Sequence, residues 1–297
     1  MERQVYTDMV RWDKPSFLGQ SILYLTMLIL AVVMLFPFLY VLAVSFSSSR
    51  DVADGRLIIF PAHPTLAAYS WVLQGGQFLQ GLENSFFLVG IGTAFNMLMT
   101  TTMAYALSRR GVPGNKFVLW AVLLTLLIAP GIITKYLVVK QFGLLNTLWA
   151  LIIPGAILPF NLVVLRQFFL SIPEELIDSA KLDGANDLQI LRSIVLPLSK
   201  AALAAIALFY AVGHWNSFFD ATIYLNNPQL YPVSVILRLL VLQGGQSMTE
   251  TLTGQTAPPD QTVQMAVVVL AIVPILLIYP FLQKYFTKGV LTGSIKG

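Results

Sequence analysis

The 297-residue chain has no cysteine, which excludes disulfide bridges, thiolate catalysis and cysteine-ligated metals. Histidine is nearly as scarce: His63 and His214 are the two present, and no H-E-x-x-H pattern frames them. A G-x-x-x-x-G-K-[ST] phosphate loop is also absent, so the chain carries no nucleotide-hydrolysing signature of that kind. Charge is thin throughout, at 11% of residues, where a soluble domain carries roughly 25%. These shortages argue against an enzyme working in water, and none of them points to metal or cofactor chemistry.

Apolar length fills the space left by charge. Hydrophobic residues make up 57% of the chain. Six long runs stand out, at 22–45, 85–107, 117–139, 148–169, 201–225 and 263–285. A helix crossing a hydrocarbon core of ~30 Å needs about 20 apolar residues, so each run is a candidate span. A transmembrane barrel would show alternating segments of about ten residues instead. The expected fold is therefore all-α and integral to the membrane, with six transmembrane helices. The first run, about 24 residues, exceeds the ~7–15 of a signal h-region and reads as a retained helix.

The formal net charge is +4, and its distribution gives the orientation. Lys and Arg at 3, 11, 14, 109, 110, 116, 166, 181, 192, 200, 284, 288 and 296 fall on one set of alternate loops and tails. Arg50, Arg56, Lys135, Lys140 and Arg238 fall toward the other side. The excess puts both termini in the cytoplasm. Orientation accounts for the basic balance, and no nucleic-acid partner is needed. Residues 1–20 read as a cytoplasmic arm and 21–297 as the transmembrane domain. Two long outside loops follow, 46–84 and 226–262. Each holds an L-Q-G-G-Q string, at 73–77 and 242–246, resembling an ATPase signature. Outside the cell, and without a phosphate loop, both are coincidental.

Residues 171–200, SIPEELIDSAKLDGANDLQILRSIVLPLSK, are a polar island between apolar runs. Ser171 and Glu174 have capping-box spacing, and Pro173 suits the first turn. Leu176, Ile177 and Ala180 form an apolar stripe. Gly184 supplies a positive-φ stop, and Asn186 or Asp187 can cap a second helix that Pro197 closes. A hairpin lying in lipid headgroups would be rich in Lys and Arg. The first helix here carries Glu174, Glu175 and Asp178 against Lys181, which favours docking to a protein.

The island closely resembles the EAA loop of bacterial ATP-binding-cassette (ABC) importer permeases, whose pattern is roughly P-x-E-L-x-E-A-A-x-x-D-G-A, then I-x-L-P. This chain has Pro173, Glu175, Leu176, Asp178-Ser179-Ala180, Asp183-Gly184-Ala185, Ile194, Leu196 and Pro197, with Asp for Glu and Ser for Ala in the triplet. The turn at 108–110, the link FGLLNT, the stretch GHWNSFFDA and the tail YFTKGVLTGSIKG extend the likeness over residues 80–297. The likeness is to the carbohydrate type, the maltose-type "G" permease class, and in 140–240 to a subgroup handling complex or acidic oligosaccharides. It implies a type I importer permease of the bacterial inner membrane. Its partners would be a second homologous permease, an ABC ATPase dimer and an extracytoplasmic substrate-binding protein that delivers an oligosaccharide. Glu175, Asp178, Ala180, Asp183 and Gly184 map to the ATPase contact, and the loop 226–262 is expected to meet the binding protein. No cofactor or metal is implied.

Polar groups inside a span are costly and mark candidate sites. His214, Ser217 and Asp220 share helical spacing, with Trp215, Asn216, Phe218 and Phe219 around them. Stacking aromatics and hydroxyl-binding groups suit a sugar pathway, and mutual satisfaction in helix packing is the alternative. Asn161, Tyr136 and Lys135 are lesser pathway candidates. Lys135 and Arg166 can also snorkel to the interface, while a substrate role for Lys135 would favour an acidic sugar. An ion-coupled secondary transporter using His214 and Asp220 is the alternative function. Such folds show repeats across two halves, and none is evident here.

Overall fold

The computed structural model describes residues 17–54, 60–109, 111–128, 130–242 and 261–293. Residues 1–16 of the expected arm 1–20, the stretch 243–260 of the expected loop 226–262 and the last four residues lie outside them, while 17–20 open the first helix. Among the described residues there are helices and turns and no strand.

The long elements are α1 (Phe17–Ser45) and α4 (Gln77–Ser108), each long and apolar enough to cross a membrane. Between them lie the short α2 (Ser49–Ala53) and α3 (Ala67–Gln74). Gly76, at φ +72°, makes the turn from α3 into α4, which is the structural role of the first L-Q-G-G-Q string. A wide π turn at Leu88–Gly92 interrupts α4. Then come α5 (Asn115–Leu127), α6 (Ile132–Gln141), α7 (Pro159–Leu170), α8 (Glu174–Leu182), α9 (Asp187–Leu198) and α10 (Lys200–Trp215). The chain continues through α11 (Phe218–Tyr224), α12 (Val233–Leu242) and α13 (Gln261–Gly293).

Runs expected as single helices are segmented at prolines and polar residues. The run 117–139 divides between α5 and α6 around Pro130 and Gly131. The run 148–169 begins as 3-10 turns at Leu148–Leu151 and Ile153–Gly155, then bends by 49° into α7. Pro154 and Pro159 cause this, since each withholds an N–H from a continuing helix and suits only a first turn. The run 201–225 breaks between α10 and α11 at Asn216 and Ser217. The run 263–285 lies within α13.

Broken backbone is tolerated in a membrane only where protein groups satisfy it, and polar side chains do this here. Asn96 donates to the Gly155 carbonyl at 2.9 Å. The Tyr210 hydroxyl accepts from the Leu158 N–H at 2.9 Å and lies 2.6 Å from the Thr100 hydroxyl. At the other end of α4, Asn84 donates to the carbonyls of Gln229 and Tyr231, and Ser85 accepts from the Val233 N–H. The link FGLLNT has a comparable role. Asn146 stands at φ +60° and accepts from the N–H groups of Asn226 and Asn227, while its own N–H bonds Tyr224.

Two apolar clusters hold the bundle. One joins α4 (Ala104, Leu107), α7 (Leu162, Leu165, Phe169) and α10 (Ile206, Tyr210) to the island. The other packs α3, Phe78 and Trp215 against α12 and the start of α13. Helix α1 packs along α13, with Ala43, Val44 and Ser45 buried near Met265, while most of its apolar length is exposed.

Candidate functional site

The island folds as the expected helical hairpin, α8 followed by α9. Its closing turn follows from Gly184 at φ +82°, in the left-handed region that favours glycine. The Gly184 N–H bonds Lys181 and the Ala185 N–H bonds Ala180, which is the Schellman pairing of an ending helix. A full capping box then starts α9. The Asn186 side chain accepts from the Gln189 N–H at 2.9 Å, and Gln189 accepts from the Asn186 N–H at 2.8 Å.

Two expected details are corrected. Ser171 does not cap α8: it ends α7, and its hydroxyl donates to Phe168. Pro173, extended at φ −53° and ψ 131°, opens α8 instead, leaving Ser171 too early to serve as cap. Nor does Pro197 close the second helix. A π turn at Leu191–Val195 precedes it, α9 runs on to Leu198, and an 85° bend at Ser199 leads into α10. The widened turn falls where Pro197 withholds an N–H from the helical ladder.

One side of the hairpin is fixed to the bundle and the other is free. Ile177, Ile190 and Leu191 are buried against α4, α7 and α10. Each such side chain contributes about 1.5–3 kcal/mol on burial. The Tyr105 hydroxyl donates to Asp187 at 3.3 Å, and the Arg109 guanidinium sits 4.5 Å over the Tyr105 ring. Arg166, expected to snorkel, instead donates through Nε to the Leu107 carbonyl near the end of α4. Glu175, Asp178, Asp183 and Gly184 are all exposed, Asp178 over a cleft shared with Tyr105 and Arg109, while Ala180 is half-buried against the bundle's cluster. Beside them Leu182 is 89% exposed and Leu188 72%. Exposed leucines flanked by carboxylates, on a hairpin capped at its turn, make a rigid surface suited to a protein partner.

The polar residues of 201–225 do not form one stripe, because the chain breaks between them. His214 is buried, with its ring against Gly92 so closely that a Cβ there would lie 2.7 Å from Nε2. Ser217 is half-buried with its hydroxyl unpartnered, and Asp220 is exposed on α11. Asn161 is buried on α7 with an unpartnered amide nitrogen. Tyr136 packs near Val139, Ala150 and Tyr224, and Lys135 is exposed beside it. Trp215 and Asn216 do come together, in a cleft of about 500 Å³ shared with Phe218, Ser234 and Arg238. Arg238 was legible in the sequence only as a basic residue of an outside loop, since nothing there marks 233–242 as a helix packed back into the bundle.

A bundle of broken apolar helices that offers a braced acidic hairpin at one end is the membrane subunit of a transporter driven by a partner protein. The chain belongs to the family described as the binding-protein-dependent transport system inner membrane component, whose model matches residues 13–292. It is 45% identical to Protein LplC of Bacillus subtilis (strain 168), over 88% of this chain and 89% of that one. It is 43% identical to the polygalacturonan/rhamnogalacturonan transport system permease protein YtcP of the same organism, over 94% and 99%. The crystal structure of a bacterial ABC transporter involved in the import of the acidic polysaccharide alginate matches with a TM-score of 0.83 and 30% identity, over 90% and 96%. The chain is thus a multi-pass permease subunit of a carbohydrate ABC importer served by a binding protein, and it is not an enzyme. The ATPase is a separate subunit.

Proposed function

We propose that the chain translocates an acidic oligosaccharide and that the hairpin 174–190 couples it to an ABC ATPase dimer on the cytoplasmic side. The observation that carries the coupling is the hairpin's asymmetry: Ile177 and Ile190 anchored in the bundle, Leu182 and Leu188 exposed at its tip. Motion of a partner at the tip would be passed directly to α4, α7 and α10. Glu175, Asp178, Ala180, Asp183 and Gly184 form the contact, the acids meeting basic groups of the ATPase. A second homologous permease completes the membrane pore, where the exposed length of α1 lies against lipid or that partner. Both termini are cytoplasmic, in keeping with the distribution of Lys and Arg. Of the expected outside loop 226–262, the part other than α12, which packs back into the bundle, receives the binding protein.

The acidic nature of the cargo is supported by the relatives, two of which are named for the transport of polygalacturonan/rhamnogalacturonan and of alginate. His214, Trp215, Asn216, Ser217, Asp220, Asn161, Tyr136 and Lys135 are the proposed pathway residues; of these, Trp215 and Asn216 line the cleft with Arg238. The test is reconstitution of the complete importer in lipid, with ATP hydrolysis measured in the presence of the binding protein. Stimulation by oligogalacturonides but not by their methyl-esterified, neutral counterparts of equal length is expected. Stimulation by the neutral set alone would overturn the acidic assignment.

A further inference from the structure

Arg238 projects from α12 into the cleft formed with α13 and the break between α10 and α11. The cleft also includes Ala271, Ile272 and Ile275, the middle of the apolar run 263–285, so the cation stands at the depth of a membrane span. A charge at that depth is costly unless it has a partner or a task. Among the described residues no carboxylate, Asp220 on neighbouring α11 included, is seen in an ion pair with Arg238. Its guanidinium carbon lies 4.3 Å from the Phe218 ring centroid, a cation–π seat that holds the group in place. Beside it, Ser234 lines the cleft, its hydroxyl buried in the wall with no hydrogen-bond partner.

These features match one kind of ligand. An arginine held on an aromatic face keeps N–H donors for the two oxygens of a planar carboxylate. Trp215 and Phe218 give a sugar ring apolar surface, and Ser234 can bond a ring hydroxyl. A volume of about 500 Å³ lies in the ~300–1,000 Å³ range of small-ligand sites. We infer that this cleft is a uronate subsite on the translocation path, in which Arg238 takes the carboxylate of one sugar unit of the passing chain. The inference rests on the acidic-oligosaccharide reading and adds the residue that selects the charge. A bare cation in lipid would also attract anionic headgroups; the test separates the two.

The experiment uses the complete importer in proteoliposomes of zwitterionic lipid, with ATP inside and binding protein loaded with trigalacturonate outside. Uptake per ATP hydrolysed is measured for the wild type, Arg238→Gln and Arg238→Lys. Arg238→Gln is expected to lower uptake per ATP at least about tenfold, the loss of a charged hydrogen bond. ATP hydrolysis stimulated by the loaded binding protein stays at the wild-type rate, and Arg238→Lys retains an intermediate uptake. Unchanged uptake per ATP in Arg238→Gln overturns the subsite. So does an equal loss in both variants, or a loss accompanied by failed ATPase stimulation, because each marks a structural or lipid-anchoring role. If the wild type responds to methyl-esterified trigalacturonate and not to the acid, the acidic reading itself fails, whatever the variants do.

Discussion

At the scale of single residues, two glycines and one aspartate carry distinct consequences. Gly184, at φ +82°, faces open space, so a methyl group there meets no neighbour and the cost is backbone alone. Gly184→Ala should cost about 1–2 kcal/mol at the hairpin turn. The expected result is reduced transport with normal membrane insertion, read by uptake and membrane fractionation. Gly92 is the opposite case, with ordinary backbone and no room. Gly92→Ala presses on the buried His214 ring and should lower thermal stability by about 1–3 kcal/mol. His214→Ala in the same chain should restore part of that loss; strict additivity of the two changes would show that the rings and backbone do not meet as described. Asp51 lies beyond α1, outside the spans. Its carboxyl is held below the ordinary 3.8 by the Ser48 hydroxyl first and then by His63. A depressed carboxylate stabilises above its unfolded pKa, and the effect is lost as pH falls through the lower folded value. The stability that Asp51 confers over Asp51→Asn should therefore be present above 3.8 and be lost as pH falls below it. A difference that grows as pH falls below 3.8 would contradict the sign. Gly184 was readable in the sequence because a positive-φ stop follows from local pattern. The Gly92–His214 contact was not, because it joins positions 122 apart that only packing brings together.

At the scale of elements, hydropathy located all six apolar runs, but it could not tell a continuous helix from a broken one. The prolines at 130, 154 and 159 were visible; what they do depends on whether side chains elsewhere can bond the freed backbone. Asn96, Thr100 and Tyr210 supply those bonds for the break before α7. Tyr210→Phe leaves the Leu158 N–H unpaired and should cost about 1–3 kcal/mol, seen as a lower melting temperature of the purified complex. An unchanged melting temperature would mean the break is satisfied in another way. The hairpin was legible nearly to the residue, since Gly184, Asn186 and the apolar positions Ile177 and Ile190 are all local signals. Its Ser171 cap was misplaced because the extended Pro173 moves the helix start. The stripe His214–Ser217–Asp220 failed for a related reason: helical spacing holds only while the helix lasts, and α10 ends at Trp215.

At the scale of the molecule, the proposed coupling would make the bundle a lever with its handle at one end. The apolar cluster from Ile177 and Ile190 through Leu165 to Ile206 ties the hairpin to three helices at once. The cleft at Arg238 lies across the break between α10 and α11, so a swing of α10 would move one of its walls. The absence of cysteine makes this account directly testable, because a single introduced thiol is unique in the chain. The decisive measurement is cross-linking of Leu182→Cys in the assembled, transport-competent importer. A cross-link to the ATPase subunit that forms from the cytoplasmic side and arrests ATP-driven uptake is predicted. A thiol that labels freely from outside the membrane, with no ATPase cross-link and uptake intact, would contradict the central claim.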